Sequence, residues 1–177
     1  MRTLWDREVA DEAELVGRLS PAGRMELTRQ VLDWTIEALP SDAREILAGR
    51  PGQVVDAAIS DIRAVADGAE PTDEADEIED ELLELSDEVE LQSLWQLFNA
   101  LSYCIGLDPS ELETATTQET MSACYDVIRD CEDLPEFPVG TDEATVLAAE
   151  RANDNCMRAI DQQKELIGEA LRRDAGR

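Results

Sequence analysis

The chain has 177 residues, of which 43% are hydrophobic, and its 42 acidic and 15 basic side chains give a formal net charge of −27. This charge argues against direct binding to nucleic acid or to an anionic membrane, because phosphate groups are bound by lysine and arginine. The hydrophobic fraction excludes full disorder, and the length fits a single all-helical domain over residues 1–177. The absence of histidine excludes Ser-His-Asp and Cys-His nucleophile systems and histidine metal sites.

Four helices are predicted in the first part of the chain. Ser20 and Pro21 form a strong helix start, in which a side-chain cap is followed by proline at the first helical position. Gly49 and Pro51 separate the third helix from the fourth. The predicted helices span Glu8–Leu19, Pro21–Leu39, Ser41 to about Ala48, and Gly52–Asp67.

The segment Asp73–Glu90 predicts a helix with two different sides. Apolar residues recur at steps of four, three and four, which is typical of an amphipathic helix. The rest of the surface is covered with carboxylates, and like-charged pairs such as Glu77–Glu81 each cost about 0.2–0.5 kcal/mol. Lysine and arginine are absent from this segment, so we expect a reason outside the helix for its charge. The apolar stripe consists of Ile78, Leu82, Leu85 and Val89.

Two helices are predicted directly after the acidic segment. Leu91–Ile105 is apolar on nearly all sides, which predicts the central and most buried helix. Asp108–Glu111 has the pattern of a capping box with proline at the first helical position. A helix or a pair of turns is predicted from this box to about Cys131.

The end of the chain predicts one loop and one long helix. Asp133–Gly140 holds two prolines and predicts the loop. The last helix is predicted from Thr141 or Asp142 to about Arg172. Since no strand pattern of any length is found, the predicted fold class is all-α, an antiparallel multi-helix bundle of about 7–8 helices.

The sequence also predicts a cellular location. The N-terminal stretch MRTLWDREVADEAEL lacks the apolar run of a signal peptide, and no segment approaches the roughly 20 apolar residues of a membrane span. We therefore expect a cytoplasmic protein without membrane contact, whose thiols stay reduced. The cysteines lie on apolar helical faces without the paired C-x2-4-C spacing of a zinc site, so we interpret them as buried small hydrophobic residues. They are Cys104, Cys124, Cys131 and Cys156.

The negative charge is concentrated in one stretch. Residues 64–128 contain 18 acids and no base, whereas the flanking parts have net charges of only −4 and −5. A helix that presents carboxylates at regular intervals can imitate phosphate groups and bind the arginine and lysine of a basic protein, such as a nuclease. No catalytic residue, metal ligand or cofactor is predicted. The predicted partner-binding residues are Glu77, Asp80, Glu81, Glu84, Asp87 and Glu88.

Two alternatives stay open beside this prediction. The first is an all-α, magnesium-dependent nucleotide pyrophosphohydrolase, because carboxylates three residues apart share one helical face, where a hard cation binds. Such enzymes need lysine or arginine against the triphosphate, and residues 64–128 have none. The second is a helical regulatory or structural module whose charge serves only solubility. A homodimer through apolar helix faces is also open. The spaced pairs are Glu74/Glu77, Glu77/Asp80, Glu81/Glu84 and Glu84/Asp87.

Two segments resemble a helical bacterial family of unknown function. The closing helix ERANDNCMRAIDQQKELIGEAL (Glu150–Leu171) is similar to that family's final segment, in which an acidic residue is followed by glutamine and a short apolar tail. The stretch LWQLFNALSYCIGLDPSELETATTQETMSACYDVI (Leu94–Ile128) resembles its alanine-rich helix pair. Comparable layouts occur among bacterial immunity proteins that neutralise contact-dependent or secreted toxins. The resemblance covers about residues 90–172 and carries over no functional residue. It implies a small, acidic, cytoplasmic, non-enzymatic binding protein, in agreement with the charge pattern.

Overall fold

The computed structural model describes residues 3–176, apart from the side chain of Ala10. This part of the chain forms ten α-helices, one 3-10 helix and no strand, which confirms the predicted all-α, multi-helix bundle. Residues 1, 2 and 177 of the predicted domain lie outside the described part. The helices are α1 (Leu4–Glu8), α2 (Ala10–Ala13), the 3-10 helix (Glu14–Arg18), α3 (Pro21–Ala38), α4 (Ser41–Ile46), α5 (Arg50–Ala66), α6 (Ala75–Glu88), α7 (Gln92–Ser102), α8 (Thr114–Asp130), α9 (Glu143–Ala152) and α10 (Asp154–Asp174).

The bundle is built around a closed circuit of five helices. α3 packs against α5, α5 against α6, α6 against α7 and α7 against α8, and α8 returns to α3. α10 packs on both α3 and α8, and α9 packs on α10. Because each of these helices contributes an apolar stripe, their buried side chains join in one connected core. The largest fully buried side chains include Tyr125, Phe98, Met25, Leu32 and Leu94.

The two halves of the acidic segment fold largely as their patterns predict. α6 buries Leu82 and Leu85 almost completely, which confirms its apolar stripe. α7 buries six of its 11 residues and packs against α8, α6 and α5. Trp95 and Tyr103 of the predicted buried helix are instead 39% and 41% exposed. The indole N–H of Trp95 donates to the Val89 carbonyl, which holds this side chain at the connection between α6 and α7.

The first predicted helix, Glu8–Leu19, is wrong in its bounds. The structure divides this stretch among α1, α2 and the 3-10 helix. The side-chain amide of Gln118 donates to the Ala13 carbonyl over 2.8 Å, so a residue of α8 binds an acceptor that a continuous helix would use. A contact across the bundle therefore competes with the local helix.

The predicted capping box forms a turn rather than a helix start. The backbone N–H of Asp108 donates to the Glu111 carboxylate over 3.1 Å, which is one of the two contacts of such a box. Leu112 is fully buried, and its carbonyl accepts from Arg24 Nε over 2.8 Å. This carbonyl is directed at α3 rather than along a helix, and α8 begins only at Thr114.

The predicted last helix is broken at Asn153, whose backbone is extended with φ −93° and ψ 121°. Its side-chain oxygen accepts from the backbone N–H groups of Asn155 and Cys156 over 3.0 and 2.9 Å, which caps α10. Its amide nitrogen donates to a Glu132 carboxylate oxygen over 2.8 Å. Because α9 ends here, it is free to lie against the N-terminal helix, where Glu150 binds the backbone of Leu4.

Candidate functional site

Helix α6 carries eight carboxylates, six of which form the predicted site. At about 100° per residue, these six fall within an arc of about 120° around the helix. All six side chains are exposed, while Leu82 and Leu85 are buried on another side. The structure therefore brings the predicted residues together on one surface. We call this surface the carboxylate face: Glu77, Asp80, Glu81, Glu84, Asp87 and Glu88.

Arg50, at the start of α5, contacts three members of the carboxylate face. Its guanidinium nitrogens lie 3.8 Å from Glu81, 3.3 Å from Glu84 and 3.1 Å from Glu88. The hydrogen bond with Glu84 and the charge of Glu88 raise the pKa of Arg50. Because the acidic segment has no base, we expected a reason outside this helix for its charge. Arg50 lies on α5, and it offsets part of the repulsion among the carboxylates within the fold itself.

The other three members of the carboxylate face are not neutralised in this way. Glu77, Asp80 and Asp87 have no ion-pair partner among the described residues. One guanidinium therefore faces a helix with eight carboxylates. The face keeps a strong net negative charge, which is greatest at the residues that Arg50 does not contact.

A groove of about 430 Å³ runs between α5 and α6 beside this face. Glu77 and Glu81 line one side of the groove, together with Glu74. Val54 and Ile78 add apolar surface to it. Arg50 also lines the groove, so two predicted site residues border a depression that combines carboxylate, guanidinium and apolar surface.

A second polar site, which the sequence did not predict, is a cleft of about 380 Å³. We call it the α8–α9 cleft, because most of its lining comes from the end of α8, from residues 132–137 and from α9, while Thr3 and Gln92 complete it. Arg129, Asp130 and Glu150 supply charged groups to its lining. Phe137 and Val146 are among its apolar groups.

Glu150 is only 2% exposed and ties together three parts of the chain. Its Oε2 accepts from the backbone N–H of Leu4 over 2.7 Å and from the hydroxyl of Tyr125 over 2.8 Å. Burial, the nearby Cys156 and the Glu150 charge all raise the pKa of Tyr125, so the phenol stays protonated and donates. A second hydrogen bond attaches α1 to α10: the indole N–H of Trp5 donates to Gln163 over 2.7 Å.

Asp126, Arg129 and Asp130 form a half-buried charged cluster at the end of α8. Arg129 Nε and Nη2 donate to Asp130 Oδ1 over 3.0 and 2.8 Å. Arg129 Nη1 lies 2.7 Å from Asp126 Oδ1, an ionic contact without hydrogen-bond alignment. Burial raises the pKa of Asp126 to about 6 although Arg129 opposes the shift. Burial would lower the pKa of Arg129, but the two aspartates outweigh it and raise that pKa.

The sequence contains only a weak signal for this second site. Asp126, Arg129 and Asp130 stand at helical spacing, which predicts a local ion pair on any solvated helix. Glu150 lies on a different helix, and its bond to Leu4 joins residues far apart in the chain. A buried carboxylate of this kind becomes recognisable only once the fold places it.

The cysteines are free thiols, as the interpretation of small hydrophobic residues expects. Cys104, Cys124 and Cys156 are buried, whereas Cys131 is half-buried. Burial raises the pKa of Cys104 and of Cys124 to about 12. Because the thiolate is the reactive form, none of these buried thiols is prepared for nucleophilic chemistry.

Neither a metal-binding cluster nor a membrane-spanning helix occurs among the described residues. No group of three or more acidic or cysteine side chains is placed to hold a metal ion in the part of the chain that the structure describes. No helix within residues 3–176 is long and apolar enough to cross a membrane. The pyrophosphohydrolase alternative stays a prediction, which release of pyrophosphate from nucleoside triphosphates with Mg²⁺ or Mn²⁺ would test.

Comparison with known proteins gives no match to a protein-family model, to a curated protein or to a solved structure. The functional conclusion therefore rests on the residues and geometry of this chain.

Proposed function

We propose that this chain is a non-enzymatic binding protein of the immunity or inhibitor type. Its partner is a strongly basic protein, either a toxin or a nucleic-acid enzyme, and its binding surface is the carboxylate face. The observation that carries the proposal is the concentration of six exposed carboxylates on one side of α6, with Arg50 as their only ion-pair partner among the described residues.

The unpaired members give the face its attraction for a partner. Glu77, Asp80 and Asp87 are exposed and can accept hydrogen bonds from arginine and lysine without losing an internal contact. Carboxylate–guanidinium hydrogen bonds are among the strongest that side chains form. Complementary charge also steers diffusion and raises the rate of association.

Arg50 holds the other three carboxylates of the face close together before a partner binds. It contacts Glu81, Glu84 and Glu88 at the protein surface. A carboxylate has about four acceptor positions, so each of these residues can bind a partner cation while it still contacts Arg50. The guanidinium thus holds three carboxylates near each other in the free protein and lowers the cost of ordering them on binding.

The proposal places the protein in the cytoplasm, where its free thiols stay reduced. It would act there on a toxin or enzyme that attacks nucleic acid. By covering the basic groups that hold phosphates, the carboxylate face would exclude the nucleic acid from the partner's binding site.

A capture experiment with three forms of the chain tests this proposal. The wild type, the variant Glu77→Gln/Asp80→Asn/Asp87→Asn and the control Asp56→Asn/Asp161→Asn/Glu165→Gln are immobilised and exposed to an extract of the source cells. Bound protein is eluted with a salt gradient. The control removes the same number of exposed charges outside α6.

The proposal expects one basic protein that the wild type and the control retain and that the α6 variant loses or releases at lower salt. Equal retention by all three forms would show that the carboxylate face is not the interface. Retention of no basic protein by any form would contradict the proposal, and the solubility role and the pyrophosphohydrolase alternative would remain.

A further inference from the structure

The α8–α9 cleft has the features of a binding site for a small organic cation. It measures about 380 Å³, which is within the range of about 300–1,000 Å³ common for small-molecule sites. Its lining is polar at the ends of α8 and α9 and apolar along residues 134–137. It lies apart from the groove between α5 and α6 and shares no lining residue with that groove.

One carboxylate of this lining has a buried oxygen without a hydrogen-bond donor. Asp130 is 12% exposed at its side chain, and its Oδ2 is buried with no partner among the described residues. Buried polar atoms are normally hydrogen-bonded, so this oxygen indicates a donor that comes from a ligand. Glu150 is 2% exposed, and its donors Leu4 N and Tyr125 Oη both bind Oε2, which leaves Oε1 as a further acceptor at the cleft.

The charge at the cleft is unbalanced. Of the described residues that line it, Arg129 is the only base, whereas Asp130, Glu132 and Glu150 are acids. Arg129 is already bound by Asp126 and Asp130 and has little capacity for an added anion. A cation would meet excess negative charge in a partly dehydrated position, where its attraction is stronger than in water.

The apolar side of the cleft indicates which group accompanies the cation in the ligand. Leu134, Pro135 and Phe137 lie along one side of the cleft, and Val146 of α9 contributes as well. An apolar stem could pack along these side chains while its charged end reaches the carboxylates. The Phe137 ring can add a favourable contact with the cation itself.

We infer that the α8–α9 cleft binds a guanidinium or primary ammonium group on a short apolar stem, with Asp130 and Glu150 as acceptors and the residue 134–137 segment against the stem. This chemistry is supplied by a free alkyl amine or by an arginine or lysine side chain of another protein. The inference does not depend on the carboxylate face.

Amide NMR titrations of the isotope-labelled protein at physiological salt test this inference. The probes are butylguanidinium, its neutral isostere butylurea and the peptide acetyl-Ala-Arg-Ala-amide. The variants are Asp130→Asn, which keeps an acceptor for Arg129, and Phe137→Ala. Asp161→Asn on α10 is the matched control, because its side chain is exposed and does not line the cleft.

Butylguanidinium should shift the amides of residues 129–134, 136–137 and 146–150 in the wild type and in Asp161→Asn. Asp130→Asn should weaken its binding about tenfold, as expected for the loss of a charge-assisted hydrogen bond. Phe137→Ala should weaken it as well, and butylurea should give no such shifts. Tighter binding of the peptide would identify a protein side chain as the ligand, and tighter binding of butylguanidinium would identify a free cation.

Three results would overturn the inference: shifts outside the cleft only, equal binding of butylurea, or equal affinity in Asp130→Asn and the wild type. The triple variant of α6 should leave the titration unchanged. The results can therefore distinguish the inference about the cleft from the proposal about the carboxylate face.

Discussion

Glu150 is a buried carboxylate that accepts hydrogen bonds from two distant donors, Leu4 and Tyr125. Glu150→Ala leaves both donors buried without an acceptor, which should lower the free energy of unfolding by about 3 kcal/mol. Glu150→Gln keeps an oxygen at the same position and should stay within about 1 kcal/mol of the wild type. Urea denaturation at pH 7 measures both values. Equal losses in the two variants would mean that Glu150 stabilises the fold through its charge rather than through these hydrogen bonds.

Asp126 should make the stability depend on pH. Its folded-state pKa of about 6 lies above its ordinary value, because burial disfavours the charged form. Between about pH 4 and pH 6 the folded state keeps a proton that the unfolded chain releases, so this residue's contribution to stability falls as the pH rises. The charges that face it are Arg129, which opposes the shift, and Asp130, Glu150 and Asp6, which add to it.

The variant Asp126→Asn should remove this dependence. Its free energy of unfolding relative to the wild type should rise by about 2–3 kcal/mol between pH 4 and pH 7, as a shift of about two pKa units implies. Urea denaturation at several pH values measures the difference. The exposed Asp161→Asn should show a difference that does not vary with pH. A flat profile for Asp126→Asn would contradict the assigned burial of its charge.

At the scale of elements, Gly52 allows α5 to approach the preceding turn closely. A Cβ atom at Gly52 would overlap the carbonyl oxygen of Leu47. Gly52→Ala should therefore lower the free energy of unfolding by about 2 kcal/mol.

At Gly168 in α10, the nearest atom to an added Cβ is the flexible Arg172 Nη1, 3.4 Å away. Gly168→Ala should raise stability by about 0.5–1 kcal/mol. Thermal and urea denaturation measure the change in the free energy of unfolding for Gly168→Ala and for Gly52→Ala. A change of the same sign in the two variants would contradict the close approach at Gly52 or the open space at Gly168.

Arg50 should stabilise the contact between α5 and α6 in a salt-dependent way. Arg50→Gln leaves Glu81, Glu84 and Glu88 without a counter-charge, so the urea midpoint should fall at low ionic strength. The deficit should shrink at about 0.5 M NaCl, where exposed charges are screened. Arg172→Gln removes an exposed charge that has no ion-pair partner among the described residues, and it should change the midpoint less. A deficit that salt does not alter would argue against repulsion within the carboxylate face.

Local patterns predicted the elements whose hydrogen bonds are local. Ser20 caps α3 as expected, because its hydroxyl accepts from Gly23 N over 3.1 Å within the same turn. The break at Asn153 is also local, and asparagine is a favoured N-cap, but the apolar residues on both sides continue one helical period, which favoured a single helix over α9 and α10. Contacts between distant residues could not be predicted. Asp61, for example, binds the backbone of both Thr72 and Gly106.

The same distinction applies to the two candidate sites. Helical periodicity was enough to group Glu77, Asp80 and Asp87 on one face, because they belong to one helix. Periodicity could not show that Arg50 approaches that face from α5, since this depends on how two helices pack. The α8–α9 cleft combines residues from several separate segments, from Thr3 to Glu150, so periodicity could not predict it for the same reason.

At the scale of the whole molecule, a net charge of −27 opposes folding, because folding brings like charges together. The charge is greatest on residues 64–128, where the chain has no base of its own. Binding of a basic partner would relieve this repulsion and would also raise the apparent stability of the fold. Charge and function are therefore linked in the proposed inhibitor, whereas in a purely solubilising role they are not.

Measuring the association rate constant of the basic protein recovered from the source extract, at increasing ionic strength, tests whether the carboxylate face is the binding surface. The wild type and the control Asp56→Asn/Asp161→Asn/Glu165→Gln should associate fast at low salt and slow steeply as salt rises. Glu77→Gln/Asp80→Asn/Asp87→Asn should associate roughly tenfold more slowly at low salt, with a shallower salt dependence. Identical rates and slopes for this variant and the control would contradict the assignment of the carboxylate face as the binding surface.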